Sequence, residues 1–84
     1  MKYRIAICDD MEEDVKYISS MVNMWAEKES ITVAIETFPS AESFLFRYAE
    51  QKAFDILLLD IEMPSMSGIE LAKRIRKEND AVQI

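Results

Sequence analysis

Residues 56–68 read "ILLLDIEMPSMSG", and their reading decides the fold. Four aliphatic residues, Ile56 to Leu59, run straight into Asp60. Glu62 follows two residues later, then Met63-Pro64, and then Gly68, the only glycine in the chain. A short apolar run closed by turn chemistry reads as a strand buried on both faces. A carboxylate delivered to the tip of such a strand either caps something or takes part in chemistry.

Working outward, the hydrophobic period switches repeatedly. Residues 3–8 form a second apolar run, ending "AICDD", which puts Asp9 and Asp10 just beyond a strand end. From Met11 to about Lys28 the period becomes helical, with Val15, Ile18, Val22 and Trp25 on one stripe. Thr32 to Phe38 is rich in β-branched residues and reads as a strand nearer an edge. Pro39 ends it, and Ser40 supplies an N-cap for a helix from Ala41 to about Gln51. Phe54 to Leu59 is the next strand, and Ile69, Leu71, Ala72 and Ile75 mark a helix ending near Asn79. Residues 81–84 look like the onset of a further strand. Alternating strands and helices predict a parallel sheet with helices on both faces and right-handed crossovers. Ligands of such sheets bind at the carboxyl ends of the strands.

Composition narrows the function. Eighty-four residues, half of them hydrophobic, fit one soluble domain. A net charge of −6 argues against gripping nucleic acid and suits a cation or a basic partner. Histidine is absent and Cys8 is the single cysteine, which argues against zinc, imidazole catalysis and an internal disulfide. Cys8 reads as a small buried hydrophobe in a reducing cytoplasm. The sequence shows no membrane-spanning stretch and no signal-peptide pattern.

If the strands ending at Asp9-Asp10 and at Asp60 are neighbours, they lie roughly 4.8 Å apart and three carboxylates converge. Their mutual repulsion calls for a cation, and hard oxygen donors suit Mg²⁺. Each acid alone has a plainer reading. Asp10 with Glu13 makes a capping box for the following helix, Asp60 an ordinary turn residue, and Gly68 an ordinary turn or helix-entry residue. The conjunction of two acid-tipped strands favours the metal.

"ICDD" together with "LLLDIEMPSMSGIELAKRIR" resembles the receiver domain of two-component response regulators, over residues 3–84. The flavour of "RIAICDD" and "DIEMPSMSGIELAKRIRKENDAVQI" is most similar to regulators that carry a LytTR-type DNA-binding domain. The resemblance implies a flavodoxin-like sheet, here with three strands, three helices and the start of a fourth strand. It implies that Asp60 is the phosphoacceptor, fed by the phosphohistidine of a histidine kinase. Mg²⁺ would sit on Asp9, Asp10, Asp60 and the backbone carbonyl of Glu62, with Pro64 and Gly68 shaping the adjoining loop. Such a protein is a phosphoacceptor rather than a turnover enzyme, and it acts on transcription through an effector domain that residues 1–84 do not contain.

The family pattern continues through a Ser/Thr after a fourth strand and a Lys after a fifth, neither of which these residues include. On this reading residues 1–84 are the N-terminal part of a receiver, and the third strand is left near an open edge. A homodimer through that edge, or through exchange of residues 81–84, is therefore expected. Two other functions compete: a pseudo-receiver or fragment that acts by protein contact without phosphorylation, and a phosphohydrolase of the haloacid dehalogenase type. The hydrolase pattern wants its aspartate nucleophile on the first strand with a second aspartate two residues on. Here that second position is Glu62.

Overall fold

The switching hydrophobic period folds as three β–α units. The computed structural model describes residues 2–79 and 81–84. In chain order the elements are β1 (Lys2–Cys8), α1 (Glu12–Lys28), β2 (Thr32–Phe38), α2 (Ala41–Glu50), β3 (Ile56–Leu59) and α3 (Gly68–Glu78). The sheet order is β2-β1-β3 with both pairs parallel, so β2 is an edge strand as its composition predicts. Cys8 is in register with Phe38 on one side and Leu59 on the other. The carboxyl ends of all three strands are therefore level, which is what places a site there.

The sheet divides the core. Ala6, Cys8 and Leu57 point to one face, where they pack with Phe38, Phe44, Tyr48, Leu71 and Ile75 beneath α2 and α3. Phe38, Phe44 and Phe54 form a cluster of tilted and edge-to-face rings with centroids 5.3–6.4 Å apart. Ile5 and Ile7 point to the other face, and Ile5 meets the apolar side of α1. The central strand is thus buried on both faces from Ile5 to Cys8, as its unbroken apolar run requires.

β3 corrects the sequence reading twice. It starts at Ile56 rather than Phe54, because the preceding residues are engaged otherwise. The Asp55 carboxylate accepts the Arg4 N–H at 2.8 Å while the Asp55 N–H donates to the Arg4 carbonyl, also at 2.8 Å. That side-chain link replaces the ladder, and Phe54 becomes a buried wedge. β3 is also one-sided: Leu57 is fully buried, but Ile56 and Leu58 are half-covered on the α1 face. The expected fourth-strand onset is a single parallel bridge, Ile56 to Gln83, within the same chain. Leu57 N–H donates to the Gln83 carbonyl at 2.7 Å and Gln83 N–H to the Asp55 carbonyl at 3.0 Å.

The helix ends follow local chemistry. Ser40 caps α2 in a reciprocal box with Ser43. Ser67 caps α3 by accepting the Glu70 N–H at 3.2 Å. α1 does not form the Asp10–Glu13 capping box, the plainer reading of Asp10. Its N-cap is Met11, with no side-chain cap, and the Met11 N–H is taken instead by the Asp9 carboxylate at 2.9 Å. Asp10 is thereby left free of a capping role.

Candidate metal centre

Backbone pairing carries the acids into position. Asp9 N–H donates to the Phe38 carbonyl at 3.0 Å, and Asp60 N–H donates to the Cys8 carbonyl at 2.8 Å. Each aspartate thus stands one residue beyond a paired strand end. There Asp9, Asp10 and Asp60 each offer a carboxylate oxygen, and these oxygens all lie within 4.8 Å of one another. Asp9 is buried, Asp60 half-buried and Asp10 exposed. Neighbouring strand tips thus bring the three acids together, as the sequence predicts.

Electrostatics describe a patch short of positive charge. Burial pushes the Asp9 carboxyl above the ordinary aspartate range. The Met11 N–H opposes that shift, and the charges of Asp60, Asp14 and Asp10 add to it. Beneath the acids, burial and then the charges of Asp9, Asp60 and Glu42 push the Cys8 thiol up to about 12. Cys8 is a buried thiol that donates to the Ser40 carbonyl at 3.2 Å, and it lies outside the group of converging donor atoms. The donor set that remains is all oxygen, which fits a hard cation such as Mg²⁺ and does not fit zinc.

The loop after Asp60 is shaped by close approach. Gly68 N–H donates to the Ile61 carbonyl at 3.0 Å, docking the start of α3 under the acid. A Cβ at Gly68 would fall on the Asp60 carbonyl oxygen, far inside van der Waals contact, with Ile61 Cα 3.2 Å away. The glycine is required for space, since its φ is not positive. Met66 N–H donates to the Pro64 carbonyl at 2.8 Å across Ser65, which holds φ at 70°. That is a three-residue γ-turn with a strained centre.

Glu62 lines the same hollow as Asp10 and Asp60, as do Met11 and Ile61. So does Asp14, which sequence reasoning did not single out. Acids in a first helical turn are already explained by the helix dipole, so the spacing of Asp10 and Asp14 carried no separate signal.

Known proteins align with this arrangement. A family model described as the response regulator receiver domain matches residues 5–84. The response regulator protein TodT of Pseudomonas putida is 31% identical over 80 residues, covering 95% of this chain and 32% of its own length. The chain thus spans about a third of the length of the curated relatives it matches. Among solved structures, the CheX–CheY–BeF3–Mg complex from Borrelia burgdorferi superposes with a TM-score of 0.75 at 25% identity, covering 95% of this chain and 57% of that one. The complex of histidine kinase ThkA with response regulator TrrA superposes at 0.65 with 28% identity, covering 95% and 63%.

Proposed function

The chain belongs to the response regulator receiver family, and from that premise we propose that Asp60 is its phosphoacceptor and that Asp9, Asp10, Asp60 and the Glu62 backbone carbonyl hold Mg²⁺. The observation that carries the reading is the convergence of three strand-end carboxylates within 4.8 Å. Receiver domains bind Mg²⁺ at such an acidic cluster, and the similar CheY of Borrelia burgdorferi was solved in a complex with BeF3 and Mg²⁺. When bound, the cation supplies charge neutralisation for an anionic phosphoryl group beside carboxylates.

The chain's own residues do the rest. An Asp60 carboxylate oxygen attacks the phosphorus of a phosphohistidine on a kinase. The new P–O bond makes an acyl phosphate on Asp60 as the P–N bond breaks, and the imidazole nitrogen leaves with the electron pair. Positioning dominates such transfers, so the nucleophile needs a fixed seat. Its backbone is tied to Cys8 on one side and held against Gly68 on the other. Asp9, fixed by the Met11 N–H, supplies buried negative charge for the cation. Pro64 and the Ser65 turn set the path of the loop over the site.

On this reading the protein is a phosphoacceptor and not a turnover enzyme, its partner is a histidine kinase, and it works in the cytoplasm, where Cys8 stays reduced. Residues 1–84 are the N-terminal part of the receiver, and action on transcription belongs to a DNA-binding effector, of LytTR type, outside them. Among the described residues no helix is long and apolar enough to cross a membrane. A second copy of the chain adds at the outer edge of β3 beyond the Gln83 bridge, or exchanges residues 81–84. Light scattering at high concentration should then report a dimer, and a purely monomeric species would count against it.

The phosphoacceptor reading is tested by incubating the chain with a small-molecule phosphodonor and Mg²⁺. One phosphoryl addition, labile to base and to hydroxylamine as an acyl phosphate is, is expected by mass, lost with EDTA and in Asp60→Asn. An addition that persists in Asp60→Asn places the nucleophile elsewhere.

A further inference from the structure

We infer that Asp14 is a fourth acid of the cation site, acting on the bound cation through its waters and contributing to its affinity. The inference rests on the metal reading of Asp9, Asp10 and Asp60, and extends it to a residue in the first turn of α1.

Three observations carry it. Asp14 lines the hollow shared by Asp10, Asp60 and Glu62, the space a hydrated cation on the three acids would occupy. It lies outside the group of carboxylates whose oxygens are mutually within 4.8 Å, which separates it from the direct ligands. Finally, it makes no ion pair or side-chain hydrogen bond among the described residues, whereas Glu12 on the same turn is paired with Lys16 at 3.8 Å. Its charge is thus not neutralised locally, and it is felt as far as Asp9.

The chemistry of the ion gives that position a use. Mg²⁺ gives up its waters reluctantly, typically taking only one or two carboxylates directly and keeping several waters. A carboxylate one helical turn beyond the direct ligands is placed to accept hydrogen bonds from those waters. Even without a direct bond, a divalent ion several ångströms from a unit charge is attracted by an amount worth roughly threefold to tenfold in affinity at low salt. The site is exposed on this side, so added salt must screen most of that gain.

The experiment is calorimetric titration of the 84-residue chain with MgCl₂ at low and at high ionic strength, comparing wild type with Asp14→Asn, Asp14→Glu and Asp10→Asn. Asp14→Asn is expected to weaken binding roughly threefold to tenfold at low salt and less than about twofold in high salt. Asp14→Glu, which restores the charge, recovers the low-salt affinity. Asp10→Asn, as a direct ligand, loses affinity at both ionic strengths. If Asp14→Asn binds like wild type at low salt while Asp10→Asn is impaired, the inference is overturned and the metal reading stands. If wild type shows no Mg²⁺ binding, both fall. A low-salt loss that Asp14→Glu does not rescue also overturns it, since carboxylate charge is then not what matters.

Discussion

At the residue scale, two serines hold the left-handed backbone and one glycine is required by a close approach. Ser30 holds φ at 56° just beyond α1. Its N–H donates to the Glu27 carbonyl at 3.2 Å, and the Ile31 N–H donates to the Ala26 carbonyl at 2.8 Å. That pair of bonds is a Schellman closure, which normally has glycine at this position. An L-residue in this left-handed region costs about 1–2 kcal/mol, while a glycine adds unfolded-state entropy of about 0.4–1 kcal/mol. Ser30→Gly is therefore expected to stabilise the fold by about 0.5 kcal/mol, read as a raised urea midpoint at unchanged slope. Gly68 is the opposite case. Its added Cβ meets a backbone carbonyl, which no rotamer change can clear. Gly68→Ala should cost about 2 kcal/mol despite alanine's better helix propensity, and it should displace Asp60. A denaturant titration reads the first effect, and loss of phosphoryl uptake by the folded variant reads the second. The sequence singled out Gly68 as a turn, helix-entry or loop-shaping residue, and it does open α3, but the need for glycine was hidden. The reason is a close approach between residues eight apart, which no local pattern encodes. Ser30 gave no signal, because serine at a helix end is unremarkable in composition.

At the element scale, the strand and helix assignments were legible because their causes are local. Ser40 after Pro39 does start a helix, and the β-branched run Thr32–Phe38 is an edge strand. Legibility fell off where tertiary partners decide. The stripe Val15, Ile18, Val22 and Trp25 does face the sheet side of α1, yet periodicity cannot say how completely a stripe is covered. Trp25 remains 41% exposed and Met21 52% exposed, bordering an apolar groove with Ile56 and Leu58. Nor did sequence show how β2 is tied to its neighbours. Glu36 accepts two hydrogen bonds from Arg47 on α2 and one from Arg4 on β1, all at 3.1 Å. The Arg47 hydrogen bond leads in holding the Glu36 carboxyl below its ordinary range, against the opposing effect of burial. With the folded value lowered, the unfolded chain binds more protons in the window just below the usual glutamate pKa. The contribution is therefore complete above that pKa and is lost as pH falls through the folded value. Glu36→Gln should lower stability modestly at pH 7, on the scale of partly exposed pairs, and flatten the acid limb of a stability–pH curve. An unchanged acid limb would mean the three-way pairing contributes nothing.

At the scale of the whole molecule, the candidate site works against the fold that presents it. The chain carries a net charge of −6, and three of its acids are crowded together at one end of the sheet. Their grouping was legible, since strand adjacency follows from the α/β pattern and the acids sit at predicted strand ends. The part played by α1 was not, because the Asp9 hydrogen bond to Met11 and the free Asp10 depend on how that helix begins. Crowding has a measurable sign. The Asp9 carboxyl is raised in the fold, mainly by burial, so the native state binds more protons than the unfolded chain in the window above the ordinary aspartate value. Without a cation, this group's contribution makes stability fall as pH rises through that window, the reverse of Glu36. A bound cation should cancel the penalty and add its own binding free energy. At a free Mg²⁺ concentration about ten times its Kd, that addition is about 1.4 kcal/mol, or roughly 5–10 °C in Tm for a domain of this size. Asp10→Asn should separate the two effects. It relieves repulsion, so the metal-free protein melts higher than wild type, and it removes a ligand, so the Mg²⁺-dependent rise shrinks. Differential scanning calorimetry with EDTA and with MgCl₂ reads both at once. If Asp10→Asn melts lower than wild type in EDTA, the acids are held by contacts stronger than their repulsion, and the cluster is not a site of net repulsion.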